Sequence, residues 1–131
     1  MIVDTSALVA VLRHEATREA VLDALTQHQG EASMSTATYV ELGIVVDRWR
    51  QPVTSRAVDE LLHQFDVELI GFDAKHAVVA RQAYRDFGKG SGHPAQLNFG
   101  DCFSYALAAT RREPLLFVGQ DFTHTDIRSV L

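Results

Sequence analysis

Short apolar runs alternate along the chain with longer segments in which apolar residues recur every three or four positions. The short runs, bounded by turn residues, predict buried strands, and the longer segments predict helices with one buried face. The predicted strands are 1–4, 32–34, 67–72 and 114–119, and the predicted helices are 6–12, 17–29, 35–50, 54–65, 73–87 and, after a turn, within 98–112. The stretch 125–131 is expected to add an edge strand.

Helix boundaries carry local signals. Thr17, Thr54 and Asp73 are predicted to cap the helices that follow them, because their side-chain oxygens can accept the first unpaired backbone N–H groups. Pro52 is predicted to follow the end of the preceding helix.

Strands that alternate with helices predict β–α–β crossovers, and these give a mostly parallel sheet with helices on both faces. The expected fold class is therefore α/β, a three-layer α/β/α sandwich with a mostly parallel central sheet. A chain of 131 residues is long enough for one hydrophobic core, so a single domain over residues 1–131 is expected.

Composition narrows the class of protein. Apolar residues make up 47% of the chain and charged residues 22%, which is ordinary for a globular domain in water. Neither a membrane helix nor a signal peptide is expected. The single cysteine, Cys102, excludes an internal disulfide and a cysteine-based zinc site, so a cytoplasmic protein is expected.

The formal net charge of −5 argues against a protein that coats nucleic acid, because such proteins are usually basic. It is compatible with a nuclease, since an active site built of acids contributes negative charge that metal ions neutralise. The positions of the acids therefore matter more than their number.

Four acids are predicted to meet at one edge of the sheet. Asp4 ends the first strand, and Asp121 follows the fourth strand within two residues. Glu41 and Asp101 lie in the first turns of helices that open onto the same edge. Open parallel sheets bind ligands outside the carboxyl ends of their strands. Carboxylate oxygens gathered around one point favour Mg²⁺ or Mn²⁺, so these four residues form a candidate metal site.

Each acid taken alone also has a purely structural explanation. Asp101 is suited to capping its helix or to complementing the positive end of the helix dipole. Asp121 is suited to a turn, and so is Asp4. Glu41 is suited to an ion pair with Arg48. The metal-site hypothesis depends on the four acids occurring together.

Other residues that could support chemistry give weaker signals. Cys102 lies in an apolar helix beside Asp101 and is expected to be a small core residue. The histidines show no metal-ligand spacing such as HExxH, and His28, His63 and His76 are expected at the surface or at the edge of a groove. No Ser–His–Asp or Cys–His arrangement is evident, which agrees with a reaction that needs no protein nucleophile.

Four segments together resemble the PIN-domain ribonucleases, and specifically the VapC toxins of bacterial and archaeal toxin–antitoxin pairs. They are "MIVDTSALVAVL", "STATYVELGIVV", "NFGDCFSYALA" and "LLFVGQDFTHTDI", in this order along nearly the whole chain. Any one of them is a weak signal. The four in the right order, with compatible spacing in a chain of this size, are a strong one.

The resemblance implies a metal-dependent endoribonuclease that acts as the toxin of a toxin–antitoxin pair. Asp4, Glu41, Asp101 and Asp121 are then the catalytic acidic pocket. By analogy, Asp4 and Asp101 are direct ligands of Mg²⁺ (or Mn²⁺), while Glu41 and Asp121 complete the shell directly or through water.

The resemblance also implies smaller roles and partners. Thr5 or Ser6 is expected to hydrogen-bond a bound water or phosphate. The expected partners are an RNA substrate and a cognate antitoxin protein that occupies the pocket, with no membrane. A homodimer formed through helices within 36–65 is expected, because the helix around Glu41 is too apolar to face water.

Two other functions remain open from the residues alone. A phosphoryl-transfer or receiver-like domain would need a second aspartate near Asp4 and a lysine after the strand at 114–119, and both are missing. A non-catalytic module that uses its acids to hold a structural ion and binds a protein partner is compatible with the same residues.

Overall fold

The architecture comes from a computed structural model that describes all of residues 1–131. Its elements, in chain order, are β1 (Ile2–Val3), α1 (Thr5–Leu12), α2 (Arg18–Gln27), β2 (Ser33–Ser35), α3 (Thr36–Asp47), α4 (Pro52–Gln64), β3 (Glu68–Ile70), α5 (Ala74–Phe87), α6 (Asp101–Arg111) and β4 (Leu115–Leu116).

The four strands form one parallel sheet in the order β3-β2-β1-β4. Ile2 of β1 pairs with Ser33 of β2 on one side and with Leu115 of β4 on the other. The predicted α/β/α sandwich with a parallel sheet is confirmed, and its strands are shorter than the apolar runs suggested.

Hydrophobic clusters cover both faces of the sheet. On one face, Val3, Met34 and Leu116 pack against buried side chains from α1, α2, α3 and α4. On the other face, Ile2 and Leu115 pack against α5 and α6. Successive strand residues point to opposite faces, so β1 and β4 each contribute one residue to each of the two clusters.

The direction in which the sheet grows reverses beside β1. The chain adds β2 and β3 on one side of β1 and then crosses to place β4 on the other side. In open α/β sheets, the crevice outside the carboxyl ends of the strands at such a reversal is the usual ligand site. Asp4, which follows β1 directly, therefore lies at the position where this fold class binds its ligands.

The start of α4 corrects the prediction that Thr54 caps this helix. The helix begins at Pro52, and the Thr54 hydroxyl instead donates a hydrogen bond to Oε1 of Gln51 at 3.1 Å. Proline fits the first turn because its missing N–H would have no partner there in any case.

Two further elements are shorter in the structure than the sequence predicts. Helix α3 stops at Asp47, before Arg50, whose left-handed φ of 56° cannot continue a helix. The expected edge strand at 125–131 is reduced to a single bridge between Leu115 and Ser129.

The predicted cap of α5 is confirmed in full. The Asp73 carboxylate accepts the N–H of His76 at 2.9 Å, and the His76 ring accepts the N–H of Asp73 at 3.5 Å. His76 is buried by this capping box, so its expected surface position is wrong. Thr17 precedes α2 as predicted, but its side chain makes no capping hydrogen bond.

None of the six helices combines the length and the apolar composition that a crossing of a lipid bilayer requires.

Candidate active site

Asp4 is a buried carboxylate at the end of β1, where it also serves as the N-cap of α1. Its Oδ2 accepts the backbone N–H of Ser6 at 2.9 Å and the Ser6 hydroxyl at 2.6 Å. Its Oδ1 accepts the hydroxyl of Ser104, on α6, at 2.6 Å. These hydrogen bonds replace much of the water that a carboxylate loses on burial.

Ser6 connects this carboxylate to the neighbouring strand end. Its hydroxyl, which donates to Asp4, also accepts the backbone N–H of Val118 at 3.1 Å, just after β4. The two strand ends on either side of the reversal are therefore joined through one hydroxyl. The Ser6 hydroxyl therefore has no proton left to donate to a bound water or phosphate, whereas the Thr5 hydroxyl still has one.

Asp101 is the first residue of α6 and is 8% exposed. Its Oδ2 accepts the N–H of Asn98 at 2.7 Å, and Oδ1 of Asn98 accepts the N–H of Asp101 at 3.0 Å. This reciprocal pair resembles a capping box and closes the turn that leads into α6. Of the two structural roles considered from the sequence, Asp101 has the position that complements the positive end of the helix dipole, but it is not the N-cap of α6. Its carboxylate also lies among the other acids.

Glu41 lies in the second turn of α3, not in the first as predicted, and it is half-buried against the loop before α6. An ion pair with Arg48 does not form; Glu41 instead faces Gly100 so closely that a Cβ at residue 100 would overlap its carboxylate. The Thr5 hydroxyl beside it is buried and close enough to favour the charged form of Glu41, but it makes no hydrogen bond of standard distance and angle. Glycine at position 100 is thus what lets α3 and α6 bring Glu41 and Asp101 together.

The pKa shifts of Glu41 and Asp101 indicate which acids lie close to one another. Burial raises the pKa of Asp101 to about 7, against a smaller lowering by the Asn98 N–H, and the charges of Asp4, Asp121 and Glu41 raise it further. Burial and the charge of Asp4 raise the pKa of Glu41 to about 7, with Thr5 acting in the opposite direction. Asp121 lies in the turn after β4 and is exposed. Three acids are therefore buried or half-buried together, and the fourth lies at their rim.

The donor set fits a hard divalent cation in chemistry. All four groups are carboxylates, the unpartnered Thr5 hydroxyl adds another oxygen, and the mutual repulsion of the acids is the kind that a cation relieves. The side chains as placed do not, however, surround one point: no group of three or more His, Cys, Asp or Glu residues is arranged to hold a metal ion.

Cys102, next to Asp101, is a core residue as expected. It is buried, its thiol donates to the carbonyl of Asn98 at 3.3 Å, and burial raises its pKa to about 11. The thiol is therefore protonated near neutral pH and is not a nucleophile.

Known proteins are similar to this chain both in sequence and in fold. Residues 1–128 match the PIN domain family. Ribonuclease VapC28 of Mycobacterium tuberculosis is 53% identical over 131 residues, which span 100% of this chain and 98% of that protein. Ribonuclease VapC42 of the same species is 52% identical over 128 residues, covering 98% and 97% of the two chains. The chain belongs to the VapC group of the PIN-domain family.

Solved VapC structures are similar to this VapC-type domain in fold at low sequence identity. M. tuberculosis VapC20, described as a Sarcin-Ricin loop cleaving toxin, has a TM-score of 0.76 at 16% identity, over 98% of this chain and 97% of that one. VapBC from Salmonella typhimurium, solved bound to DNA, has a TM-score of 0.71 at 18% identity, over 98% and 94%. At these identities the likeness establishes the fold alone.

Three side chains of this VapC-type site were not predicted from the sequence. Asn98 is paired with Asp101, Ser104 with Asp4, and Thr38 of α3 with Ser104. Asn98 had a usable signal, because an Asn three residues before an Asp at a helix start is typical of a reciprocal cap. Thr38 and Ser104 had only a weak sequence signal. Each is a polar residue one helical turn from an acid in a largely apolar helix.

The raised pKa values predict the pH dependence of the metal-free protein. Glu41 and Asp101 have ordinary pKa values of 4.5 and 3.8 when unfolded and about 7 when folded. Between these limits the folded state holds more protons, so in EDTA their contribution to the free energy of unfolding falls as pH rises from about 4 to about 7 and then levels off. Urea unfolding across this range should show a steeper fall for the wild type than for Glu41→Gln/Asp101→Asn. Equal slopes would contradict the assigned pKa values.

Gly100→Ala should displace Glu41. The backbone of Gly100 is helical (φ −66°, ψ −42°), so alanine adds no strain, but its Cβ overlaps the Glu41 carboxylate. Once moved toward water, Glu41 should titrate nearer its ordinary pKa of 4.5 than 7, which carboxyl-carbon NMR can follow.

Gly43→Ala is the matched control on α3. A Cβ there meets nothing within 4 Å, so the pKa of Glu41 should stay at about 7. Stability should rise by up to about 1 kcal/mol, because alanine favours helix over glycine. A Glu41 pKa that stays at about 7 in Gly100→Ala would refute the steric account.

Proposed function

We propose that this protein is a metal-dependent endoribonuclease that acts as the toxin of a toxin–antitoxin pair. The observation that carries the proposal is the set of acids at the sheet reversal, where Asp4, Asp121 and Glu41 each raise the pKa of the buried Asp101. Relatives that match the full length of the chain at about half identity are named ribonucleases, which supports RNA as the substrate.

The surroundings of each acid suggest its role in binding the metal. Asp4 and Asp101 are rigidly hydrogen-bonded and are assigned as direct ligands of Mg²⁺, with Mn²⁺ as a substitute. Glu41 and the exposed Asp121 complete the shell directly or through water. A divalent ion held by these carboxylates would supply an activated water and would stabilise the negative charge on the phosphate. The protein itself fixes the carboxylates and keeps the Cys102 thiol neutral.

A receiver-like phosphoryl-transfer domain is not supported. The only lysines are Lys75 on α5 and Lys89 in the following loop, and none follows β4. Asp4 is also committed to hydrogen bonds from Ser6 and Ser104, which leaves it poorly suited to attack phosphorus as a nucleophile.

We propose an antitoxin protein and a second copy of the chain as partners. The similar structures include the VapBC complex from Salmonella typhimurium and a toxin–antitoxin complex from Klebsiella pneumoniae. On α3, Val40 and Ile44 are 57% and 51% exposed, and their spacing puts them on one helix face. This apolar face supports a homodimer through α3 and α4.

We also propose a single domain over residues 1–131 and a cytoplasmic location. The cytoplasm contains RNA, and it keeps a lone thiol such as that of Cys102 reduced.

Cleavage should depend on both the metal and the acids. The purified protein should cut RNA with Mg²⁺ or Mn²⁺ and stop in EDTA. Asp4→Asn and Asp101→Asn should each lose more than the roughly 10–100-fold that is typical of losing an outer-shell partner of a metal site. The control Asp23→Asn removes an exposed charge on α2 and should retain activity. Full activity of either site variant, with its fold intact by circular dichroism, would refute the catalytic assignment.

The dimer can be tested separately from catalysis. Ile44→Glu puts a charge into the exposed face of α3 and should convert a dimer into a monomer in sedimentation velocity. Leu131→Glu alters a side chain of equal exposure outside these helices, at 51%, and should leave the dimer intact. A wild-type protein that is monomeric at high micromolar concentration would count against the interface.

A further inference from the structure

Two hydroxyl groups lie between the acid-bearing elements, entirely out of contact with solvent. Thr38 of α3 and Ser104 of α6 are both 0% exposed, and their side-chain oxygens are 3.2 Å apart. The Ser104 oxygen is also 2.6 Å from Oδ1 of Asp4. A buried hydroxyl pair of this kind is costly unless its hydrogen bonds are satisfied.

The proton count fixes the direction of this chain of hydrogen bonds. Each hydroxyl has one proton to donate, and carboxylate oxygens only accept. Ser104 therefore donates to Asp4, which leaves its lone pairs to accept from Thr38. The short 2.6 Å distance is typical of a hydroxyl bound to a carboxylate.

The two hydroxyls join the three elements that carry the buried acids. Thr38 lies one helical turn before Glu41 on α3, and Ser104 lies one turn after Asp101 on α6. Asp4 follows β1. The hydrogen bonds thus couple the orientation of the Asp4 carboxylate to the spacing of the helices that hold the other two acids.

The same bonds restrict what Asp4 can still bind. A carboxylate offers about four acceptor sites. Ser6 fills two of them on Oδ2, and Ser104 fills one on Oδ1. The site left to a ligand is on Oδ1, on the oxygen that Ser104 holds.

We propose that Ser104, supported by Thr38, is a positioning residue that sets the divalent-metal affinity of the site by fixing Oδ1 of Asp4. This inference rests on the proposed metal dependence. It assigns Ser104 no contact with RNA or with the reacting atoms, and it makes Thr38 act only through Ser104.

The test measures Mg²⁺ binding without RNA, by isothermal titration calorimetry of the full chain. Ser104→Ala should weaken Mg²⁺ binding by roughly 10–100-fold, the usual effect of losing an outer-shell partner. Thr38→Val should weaken it less, whereas Thr38→Ser keeps the hydroxyl and should bind nearly as the wild type does. The double variant Thr38→Val/Ser104→Ala should bind no more weakly than Ser104→Ala alone, because both changes interrupt one chain.

A matched control separates positioning from general stability. Ser33 on β2 is 3% exposed and accepts only a 3.4 Å hydrogen bond from Arg111. Ser33→Ala should leave the Mg²⁺ affinity unchanged. If Ser104 were merely structural, Ser104→Ala would lower the melting temperature in EDTA and would bind Mg²⁺ with wild-type affinity, and that result would overturn the inference.

The outcomes distinguish this inference from the proposed function. A wild type that binds no Mg²⁺ would overturn the metal dependence and the inference with it. A wild type that binds Mg²⁺, with Ser104→Ala binding equally well, would overturn only the inference. Should Ser104→Ala fail to fold, Thr38→Val decides: weaker binding than Thr38→Ser supports the inference, and equal binding overturns it.

Discussion

The buried carboxylate of Asp4 is the constraint on which the rest of the site depends. A carboxylate at 4% exposure needs hydrogen-bond donors, and the fold provides them from Ser6, two residues away, and from Ser104, one hundred residues away. Ser6 in turn accepts the N–H of Val118 after β4. Satisfying this one group therefore brings together β1, β4, α1 and α6, the elements that surround the reversal in the sheet.

The acids that gather there oppose folding while they are unneutralised. Burial and neighbouring negative charge hold the pKa of Glu41 and of Asp101 at about 7, so each must lose favourable hydration or retain a proton. Perturbed acids of this kind are common at functional sites, and the rest of the fold offsets their unfavourable free energy. Here two apolar clusters, one on each face of the sheet, provide that offset.

Fold and chemistry are carried by different parts of the chain. Structures at 16% and 18% identity share the fold over 98% of this chain, which shows how few residues a parallel sheet with helices on both faces requires. Function depends on the side chains placed at the carboxyl edge. Gly100 illustrates the difference, since any larger residue would be compatible with the helix but not with Glu41 beside it.

The sequence alone determined the order of the elements and the parallel sheet, and it predicted which acids lie at the edge of that sheet. Apolar periodicity and strand–helix alternation are local properties, and the rule for carboxyl ends of parallel strands extends them to Asp4 and Asp101 without coordinates. Exact boundaries were less accessible: Pro52 began a helix that Thr54 was expected to cap, because both residues are compatible with a first turn.

Only the tertiary structure decided how the acids are held. Ser104 and Thr38 are ordinary polar residues in their own helices, and their partners lie on other elements. Likewise, the need for glycine at position 100 comes from Glu41, fifty-nine positions earlier in the chain. A hydrogen bond or a steric contact depends on distances of a few ångströms, and between residues far apart in sequence those distances are set by the packing of whole elements and not by any local pattern.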